Sequence, residues 1–274
     1  MAYFSIEIIT KGEKSLEKSL ESIMGQSYNS FEIVCTNSSS DPFTERILDN
    51  YSVKHLNVGP IRHLRARQLA HSLSSGEVSL IMDSTRLLDQ NTLAIMERLM
   101  HQYDMVAIKE GSIGSGFWGN QARLYKDICE KNIDSKLIAE KIPSYILPRL
   151  YKADILTKIF LSLERHIPSK LFDLIGYGEH HIIFQEALSF TESFYHYKEK
   201  ELIRHYEDVS LHSIYNKYKN YGRDQKILKA LPNYKASHLS AHLRELNKNQ
   251  IMGDINSFPI ICVRALSFFV GRFL

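Results

Sequence analysis

Short apolar segments alternate with amphipathic segments through the first hundred residues, and this alternation constrains the fold more than any other feature of the sequence. Strands are predicted at Phe4–Ile9, Phe31–Cys35, Val53–Leu56 and Val78–Met82. The intervening segments place apolar residues on one helical face, as Leu16, Leu20 and Ile23 do. Parallel strands need a helix-length crossover. The pattern therefore predicts an α/β sandwich with a mostly parallel central sheet and helices on both faces.

The residues that directly follow these strands are small, polar or charged. They are Thr10-Lys11, Thr36 to Asp41, Asn57 to Pro60, and Asp83 to Arg86. Ligands of open α/β sheets bind beyond the carboxyl ends of the strands, so we expect a binding site at this edge. No GxGxxG follows the first strand, and the sequence contains neither GxxxxGK[ST] nor GxSxG. A dinucleotide fold of the usual fingerprint, a P-loop NTPase and a serine hydrolase elbow are thereby disfavoured.

Composition narrows the class of protein. The 274 residues carry a formal net charge of +3, too small by itself to indicate a nucleic-acid partner. The three cysteines, Cys35, Cys129 and Cys262, are far apart and form no CxxC pair, which predicts reduced core thiols in a reducing compartment. The first ten residues run straight into a strand pattern without the features of a signal peptide, so a cytosolic protein is expected.

The later part of the chain continues the pattern less regularly. A helix is predicted from about Asp89 to His101, a strand at Asp104–Lys109 and a glycine-rich loop at Gly111–Gly119. Glu179 follows a glycine turn at the start of an apolar helical stretch, and His205 follows a short apolar run. Residues 1–223 are predicted to form one catalytic domain, and residues 224–274 a helical C-terminal extension.

Several of these segments resemble a known family in order and spacing. They are Leu16 to Asp41, Arg65 to Gln68, Gly76 to Thr85, Gly178 to His180, and His205. Together they are similar to the inverting, nucleotide-sugar-dependent glycosyltransferases of family 2, which have the GT-A fold, over about residues 3–223. The chain departs from the family pattern at three places. Thr85 ends the D-x-D, His180 replaces the usual aspartate of an E-D pair, and Asn37 replaces an acid in the loop after the second strand.

The resemblance implies a role for each candidate residue. Donor binding is expected at Thr10, Asn37, Asp41, Arg67, Asp83 and Arg86. Asp83 and His205 are expected to hold a divalent metal, Mn²⁺ or Mg²⁺, that bridges the donor phosphates. Glu179 and His180 are the two candidates for the general base, and the sequence does not decide between them. Phe117 and Trp118 offer a stacking face for the acceptor sugar or lipid.

The C-terminal residues 258–274 are apolar apart from Arg264, Ser267 and Arg272, which recur with Gly271 at helical spacing. This pattern favours an amphipathic helix at about 257–274 in a membrane interface, with its phenylalanines buried in lipid and its arginines at the headgroups. A helix docked on the protein is the alternative. Seven basic residues against one acid between Val209 and Arg244 would add attraction to anionic lipid, or simply form a solvated surface.

The leading hypothesis is therefore a peripheral enzyme on the cytosolic face of a membrane. It would move a sugar from a UDP- or GDP-sugar to a hydroxyl or phosphate acceptor, lipid-linked, by metal-assisted direct displacement with inversion. A second hypothesis, prompted by Thr85 and His180, is a catalytically silent relative that binds nucleotide sugar or lipid. A third is a sugar nucleotidyltransferase, but Thr10–Lys14 lacks the glycine-rich, basic loop of that class.

Overall fold

A computed structural model describes residues 2–131, 147–207, 210–231 and 258–273, without the side chains of 128–131 and 258. Among the predicted features, Lys235, Arg244 and the side chain of Cys129 lie outside the described residues. The chain divides into two compact units. The sheet unit draws on Met1–Glu110, Pro148–Asp173 and Glu186–His205, and the helical unit on Gly111–Leu147, Leu174–Gln185 and Tyr206–Leu274. The boundary predicted at residue 223 stays a prediction.

Ten strands lie in the described part of the chain. They are β1 (Phe4–Thr10), β2 (Phe31–Asn37), β3 (Lys54–Asn57), β4 (Val78–Asp83), β5 (Arg86–Leu88), β6 (Met105–Ile108), β7 (Glu110–Ile113), β8 (Leu150–Lys152), β9 (Phe194–Tyr197) and β10 (Ile203–Tyr206). Seven of them form one sheet in the order β3-β2-β1-β4-β8-β6-β9. Within this sheet β8 runs antiparallel to both neighbours, and the other pairs are parallel. The predicted α/β class and mostly parallel sheet are confirmed.

Ten helices are described. They are α1 (Leu16–Met24), α2 (Pro42–Asn50), α3 (His63–Leu73), α4 (Thr92–Met100), α5 (Gly116–Lys131), α6 (Ala153–His166), α7 (Ser169–Phe172), α8 (Glu179–Ala187), α9 (Leu211–Lys229) and α10 (Phe258–Phe273). In β1, Ile6 and Ile8 belong to the same apolar core as Leu20 of α1. Glu7 instead contacts His71 of α3, with 2.8 Å between Oε1 and Nδ1. Alternate residues of β1 therefore meet helices on opposite faces of the sheet.

The prediction of a loop at Gly111–Gly119 is wrong. Strand β7 covers its first residues, and α5 begins at Gly116, whose φ of +77° is one that L side chains rarely adopt. A Cβ at Gly119 would lie 2.7 Å from the backbone of Gly114, so this glycine serves close packing. The glycines permit a tight turn into a helix, and the sequence pattern alone does not separate that use from a loop.

Helices α5, α9 and α10 pack together in the helical unit. Gly222 and Gly271 bring the backbones of α9 and α10 together, since a Cβ on either residue would overlap a carbonyl oxygen of the other helix. Ser267 is buried on the same inward face of α10. Among the described helices, none combines the length and apolar character that crossing a bilayer requires.

The expected placement of Arg264 at a lipid headgroup is wrong for this residue. Its side chain is buried, and its guanidinium carbon lies 4.2 Å from the ring centre of Tyr125 and 4.9 Å from that of Tyr218. These contacts are cation–π interactions that join α10 to α5 and α9. Arg272 is exposed, as predicted.

Candidate active site

The carboxyl ends of four parallel strands meet at one edge of the sheet unit. Thr10 is paired in register with Asn37, and Asn37 with Asn57, while Ile9 is paired with Asp83. The predicted donor residues of these strands therefore lie along a single edge. This is the position at which ligands of open α/β sheets bind.

Glu13 fastens the loop after β1 to the turn after β4. Its Oε2 accepts hydrogen bonds from Thr10 Oγ1 at 2.8 Å, from the Lys11 amide at 2.9 Å and from Ser84 Oγ at 2.6 Å. Burial alone would raise the pKa of Glu13, but these hydrogen bonds outweigh it and hold the pKa below its usual value. No local pattern in the sequence indicates Glu13 as a site residue, because its partner Ser84 is 71 residues away.

Asn37 and Asp41 shape the loop after β2. The side chain of Asn37 donates to Asn57 Oδ1 at 2.8 Å and accepts from the Ser39 amide at 2.9 Å. Asp41 caps α2, and its Oδ1 accepts from the Phe43 amide at 2.9 Å. The donor-binding role of both residues stays a prediction.

A cluster of buried charges surrounds Asp83. Arg67 is fully buried and contacts one carboxylate oxygen of Asp83, and Arg86 contacts the other. Glu110 Oε1 lies 3.3 Å from Arg86 Nε and 2.7 Å from Arg149 Nε. Three guanidiniums and two carboxylates of the sheet unit are thus gathered at this edge. The sequence predicted Arg67, Asp83 and Arg86 at this edge and missed Glu110 and Arg149.

Burial and the neighbouring charges of this cluster act on Arg86. The pKa of Arg86 falls to about 10 because burial and the nearby Arg149 and Arg67 disfavour its charged form, although Glu110 opposes the change. An anion placed among these guanidiniums would relieve the repulsion. Arg65, in contrast, binds Asp173 at 2.8 Å and stacks on Phe172, so it has a structural role.

His205 lies in β10, directly opposite Arg86 in the antiparallel pair with β5. Its imidazole is half-buried. Among the described residues, no group of three or more His, Cys, Asp or Glu ligand atoms within 4.8 Å of one another includes His205. The predicted metal role of His205 stays a prediction.

In the helical unit, Glu179 and His180 form an adjacent pair at the start of α8. Both side chains are buried, and His180 Nε2 lies 3.3 Å from Glu179 Oε1. The N-terminus of a helix favours a carboxylate there. A carboxylate in contact with an imidazole can orient the ring and stabilise its protonated form, which suits a general base.

Helix α9 holds the segment that leads into this pair. Asp224 is buried, and its Oδ2 accepts from the Gly176 amide at 3.0 Å and from the Tyr177 amide at 2.5 Å. One turn further along α9, Leu228 lies so close to Gly178 that a Cβ there would be 2.8 Å from Leu228 Cδ1. In the sequence Asp224 stands out only as the single acid of a basic segment, and nothing there indicates its hydrogen bonds to Gly176 and Tyr177.

Phe117 and Trp118 lie in the first turn of α5. Phe117 is exposed, whereas Trp118 packs against the apolar cluster that includes Tyr125 and Ile214. The two rings touch edge to face with centres 5.0 Å apart. Phe117 is thus the more accessible of the two predicted acceptor residues, and their contact with an acceptor stays a prediction.

The family model described as Glycosyl transferase family 2 matches residues 5–147, just over half of the chain. The chain belongs to glycosyl transferase family 2. This match covers β1 to β7 and therefore the whole sheet edge with Thr10, Asn37 and Asp83. The expectation of a glycosyltransferase is confirmed. No curated protein matches the chain at a significant level.

Solved structures of glycosyltransferases share the fold. Residues 1–349 of TarS from S. aureus in complex with UDP-GlcNAc align at 16% identity and a TM-score of 0.59, covering 99% of this chain and 81% of that chain. The same protein without a named ligand gives 17% identity, a TM-score of 0.57 and the same coverage. The mannosyltransferase PcManGT from Pyrobaculum calidifontis, in complex with GDP-Man and Mn²⁺, gives 14% identity and a TM-score of 0.54, covering 97% of this chain and 73% of that chain. The GT-A fold expected for this family 2 member is confirmed.

Proposed function

We propose that this family 2 glycosyltransferase moves a sugar from a UDP- or GDP-sugar to a hydroxyl or phosphate group of a lipid-linked acceptor, with inversion. The observation that carries the proposal is the group of three buried guanidiniums, those of Arg67, Arg86 and Arg149, at the ligand-binding edge of the sheet. Guanidinium forks suit diphosphate oxygens. Similar structures contain UDP-GlcNAc in TarS and GDP-Man in PcManGT, which supports a nucleotide-sugar donor here.

Direct displacement requires the protein to stabilise the leaving diphosphate and to take a proton from the acceptor. The bond between the sugar's anomeric carbon and the diphosphate breaks while the bond to the acceptor oxygen forms on the opposite face, which inverts the configuration. Negative charge grows on the leaving diphosphate, where Arg67, Arg86 and Arg149 would stabilise it. The acceptor loses its proton to the pair of Glu179 and His180, with the carboxylate orienting the imidazole or acting itself.

The sheet unit offers part of a ligand set for a divalent metal. Asp83 is 30% exposed and each of its carboxylate oxygens has a second lone pair beyond its arginine contact, so it would hold Mn²⁺ or Mg²⁺ with His205. The metal would act as a Lewis acid on the donor phosphates. PcManGT contains Mn²⁺, which supports the proposal, while Thr85 removes the second carboxylate of the D-x-D.

An exposed aromatic side chain would hold the acceptor. Phe117 is exposed at the start of α5 and would stack on the acceptor sugar or its lipid, next to Trp118. Apolar and basic residues that are exposed on α9 and α10 support an acceptor carried by a lipid.

Calorimetric titration with UDP-GlcNAc and GDP-mannose, each with Mn²⁺, Mg²⁺ or EDTA, tests the donor site. Replacing Arg86 by Gln removes hydrogen bonds to a charged ligand and should weaken donor binding by about 10- to 100-fold. Arg86→Lys keeps the charge and separates this loss from misfolding. Arg65→Gln is the matched control, because Arg65 pairs with Asp173 on the protein itself.

Turnover separates an enzyme from a silent relative. Transfer to a lipid extract, followed with a radiolabelled donor, should fall by about 100- to 10,000-fold in Glu179→Gln with donor affinity unchanged. Donor binding that persists without transfer or donor hydrolysis in the wild type would favour the silent relative. Absence of donor binding with and without metal would refute the donor site.

A further inference from the structure

The outward face of α10 is an apolar stripe. Leu266, Phe269, Val270 and Phe273, here called the outer stripe, are all exposed, with 68% of Leu266 and 83% of Phe273 open to solvent. Their spacing of three, four and seven residues puts them on one helical face. Four large apolar side chains exposed side by side are unusual on a protein surface and indicate an interaction site.

This orientation of α10 is fixed by its inner face. Ser267 and Gly271 are buried against α9, and a side chain at Gly271 would overlap the Lys219 carbonyl. Arg264 is held between Tyr125 and Tyr218. The helix therefore cannot rotate to bury the outer stripe without breaking these contacts.

The charged side chains of α9 and α10 that reach solvent are of one sign. Helix α10 contains no acid, and the one acid of α9, Asp224, is buried. The basic residues of the two helices that are exposed or half-buried are Lys217, Lys219, Arg223, Lys226, Lys229 and Arg272. Two apolar side chains of α9, Leu211 and Tyr215, are also exposed. Exposed apolar side chains together with basic residues match the acyl boundary and headgroups of an anionic bilayer.

We infer that the outer stripe binds the surface of an anionic membrane, with α10 lying in the plane of the interface. Only one face of α10 is free, because the other packs on α9, so the helix enters the bilayer by that face alone. This inference rests on the proposed function in one respect: the membrane would supply the lipid-linked acceptor. It places the protein peripherally, on the face of the membrane that nucleotide sugars reach.

Co-sedimentation of the full chain with phosphatidylglycerol and phosphatidylcholine vesicles tests the inference. We expect binding to phosphatidylglycerol that weakens with salt, and a loss of about 10-fold or more in Leu266→Ser/Phe273→Ser. The matched control is Phe43→Ser/Leu161→Ser, which removes two side chains of the sheet unit that are 54% and 49% exposed. Circular dichroism checks that both double variants are folded.

Three results would overturn the inference. One is wild-type protein that fails to bind vesicles, another is equal binding by the stripe variant, and the third is a dimer in light scattering that dissociates in the stripe variant, which would mean that a second copy covers the stripe. Calorimetry with UDP-GlcNAc and GDP-mannose distinguishes the two proposals. If the wild type binds donor but not vesicles, the membrane inference is refuted and the proposed function is retained. If it binds vesicles but not donor, the proposed function is refuted and the membrane inference is retained.

Discussion

Removing the carboxylate of Asp224 should slow catalysis without weakening donor binding. Asp224 accepts hydrogen bonds from the amides of Gly176 and Tyr177, and Glu179 follows two residues after Tyr177. Asp224→Ala leaves both amides without this partner. The segment that leads into α8 then keeps its other contacts with α9, among them those of Gly178 with Leu228 and of Tyr177 with Tyr221.

The size of the effect follows from the hydrogen bonds. A buried donor that loses its partner costs about 1–3 kcal/mol, and bonds to an ionised acceptor lie at the upper end. Gly176 is buried and Tyr177 is half-buried, so water can replace one partner better than the other. We therefore expect a loss of about 2–4 kcal/mol in the stability of the helical unit. Misplacement of a reacting group by about 1 Å lowers the rate about 100-fold, which sets the expected drop in kcat.

Steady-state transfer kinetics, donor calorimetry and thermal unfolding together check this prediction. Asp224→Asn is the matched variant, since its carbonyl oxygen can still accept but without the charge, and it should lose less of both stability and kcat. Wild-type kcat in Asp224→Ala would refute the positioning role. Equal loss of kcat and donor affinity would mean general unfolding instead.

Three further outcomes are expected. Glu110→Gln removes the anion shared by Arg86 and Arg149, so denaturant unfolding should show a loss of about 3 kcal/mol that UDP partly restores. Burial, then Lys198, lowers the pKa of His196 to about 4, below its unfolded value, so stability should fall as the pH drops from about 6.5 to 4, and less so in His196→Gln. Gly271→Ala should destabilise by about 1–3 kcal/mol, whereas Gly25→Ala, whose Cβ would meet its nearest atom at 3.4 Å, should be tolerated in the same unfolding assay.

Local pattern was sufficient for the sheet edge. The strands ending at Thr10, Asn37 and Asp83 are short apolar runs bounded by helical periodicity, and parallel pairing brings their ends together. Arg67 was instead expected from the resemblance of Arg65 to Gln68 to family 2, and it lies in α3 between two such strands. Each strand is indicated by its own residues and flanks, within the window of about 11–18 residues over which periodicity is read.

The missed residues depend on distant partners. Glu110 meets Arg149 across 39 residues and Asp224 meets Gly176 across 48, and neither contact leaves a local pattern. The C-terminal helix shows a different limit. Its polar face was visible in the sequence, but three of the four residues of that face, Arg264, Ser267 and Gly271, are buried, and Arg272 is exposed. Hydrophobic periodicity shows that a helix has an apolar and a polar face, but it does not show whether protein, lipid or water covers each face.

The cysteines give each unit its own chemical reporter. Cys35 lies in the middle of β2 with no exposed surface, and burial raises the pKa of its thiol, so a maleimide reaches it only after the sheet unit opens. Cys262 lies on α10 and is half-buried, so it reacts from the closed state or after a small displacement of that helix. Labelling rates at the two thiols, read by mass spectrometry in one sample, would time the opening of the sheet separately from the loosening of α10.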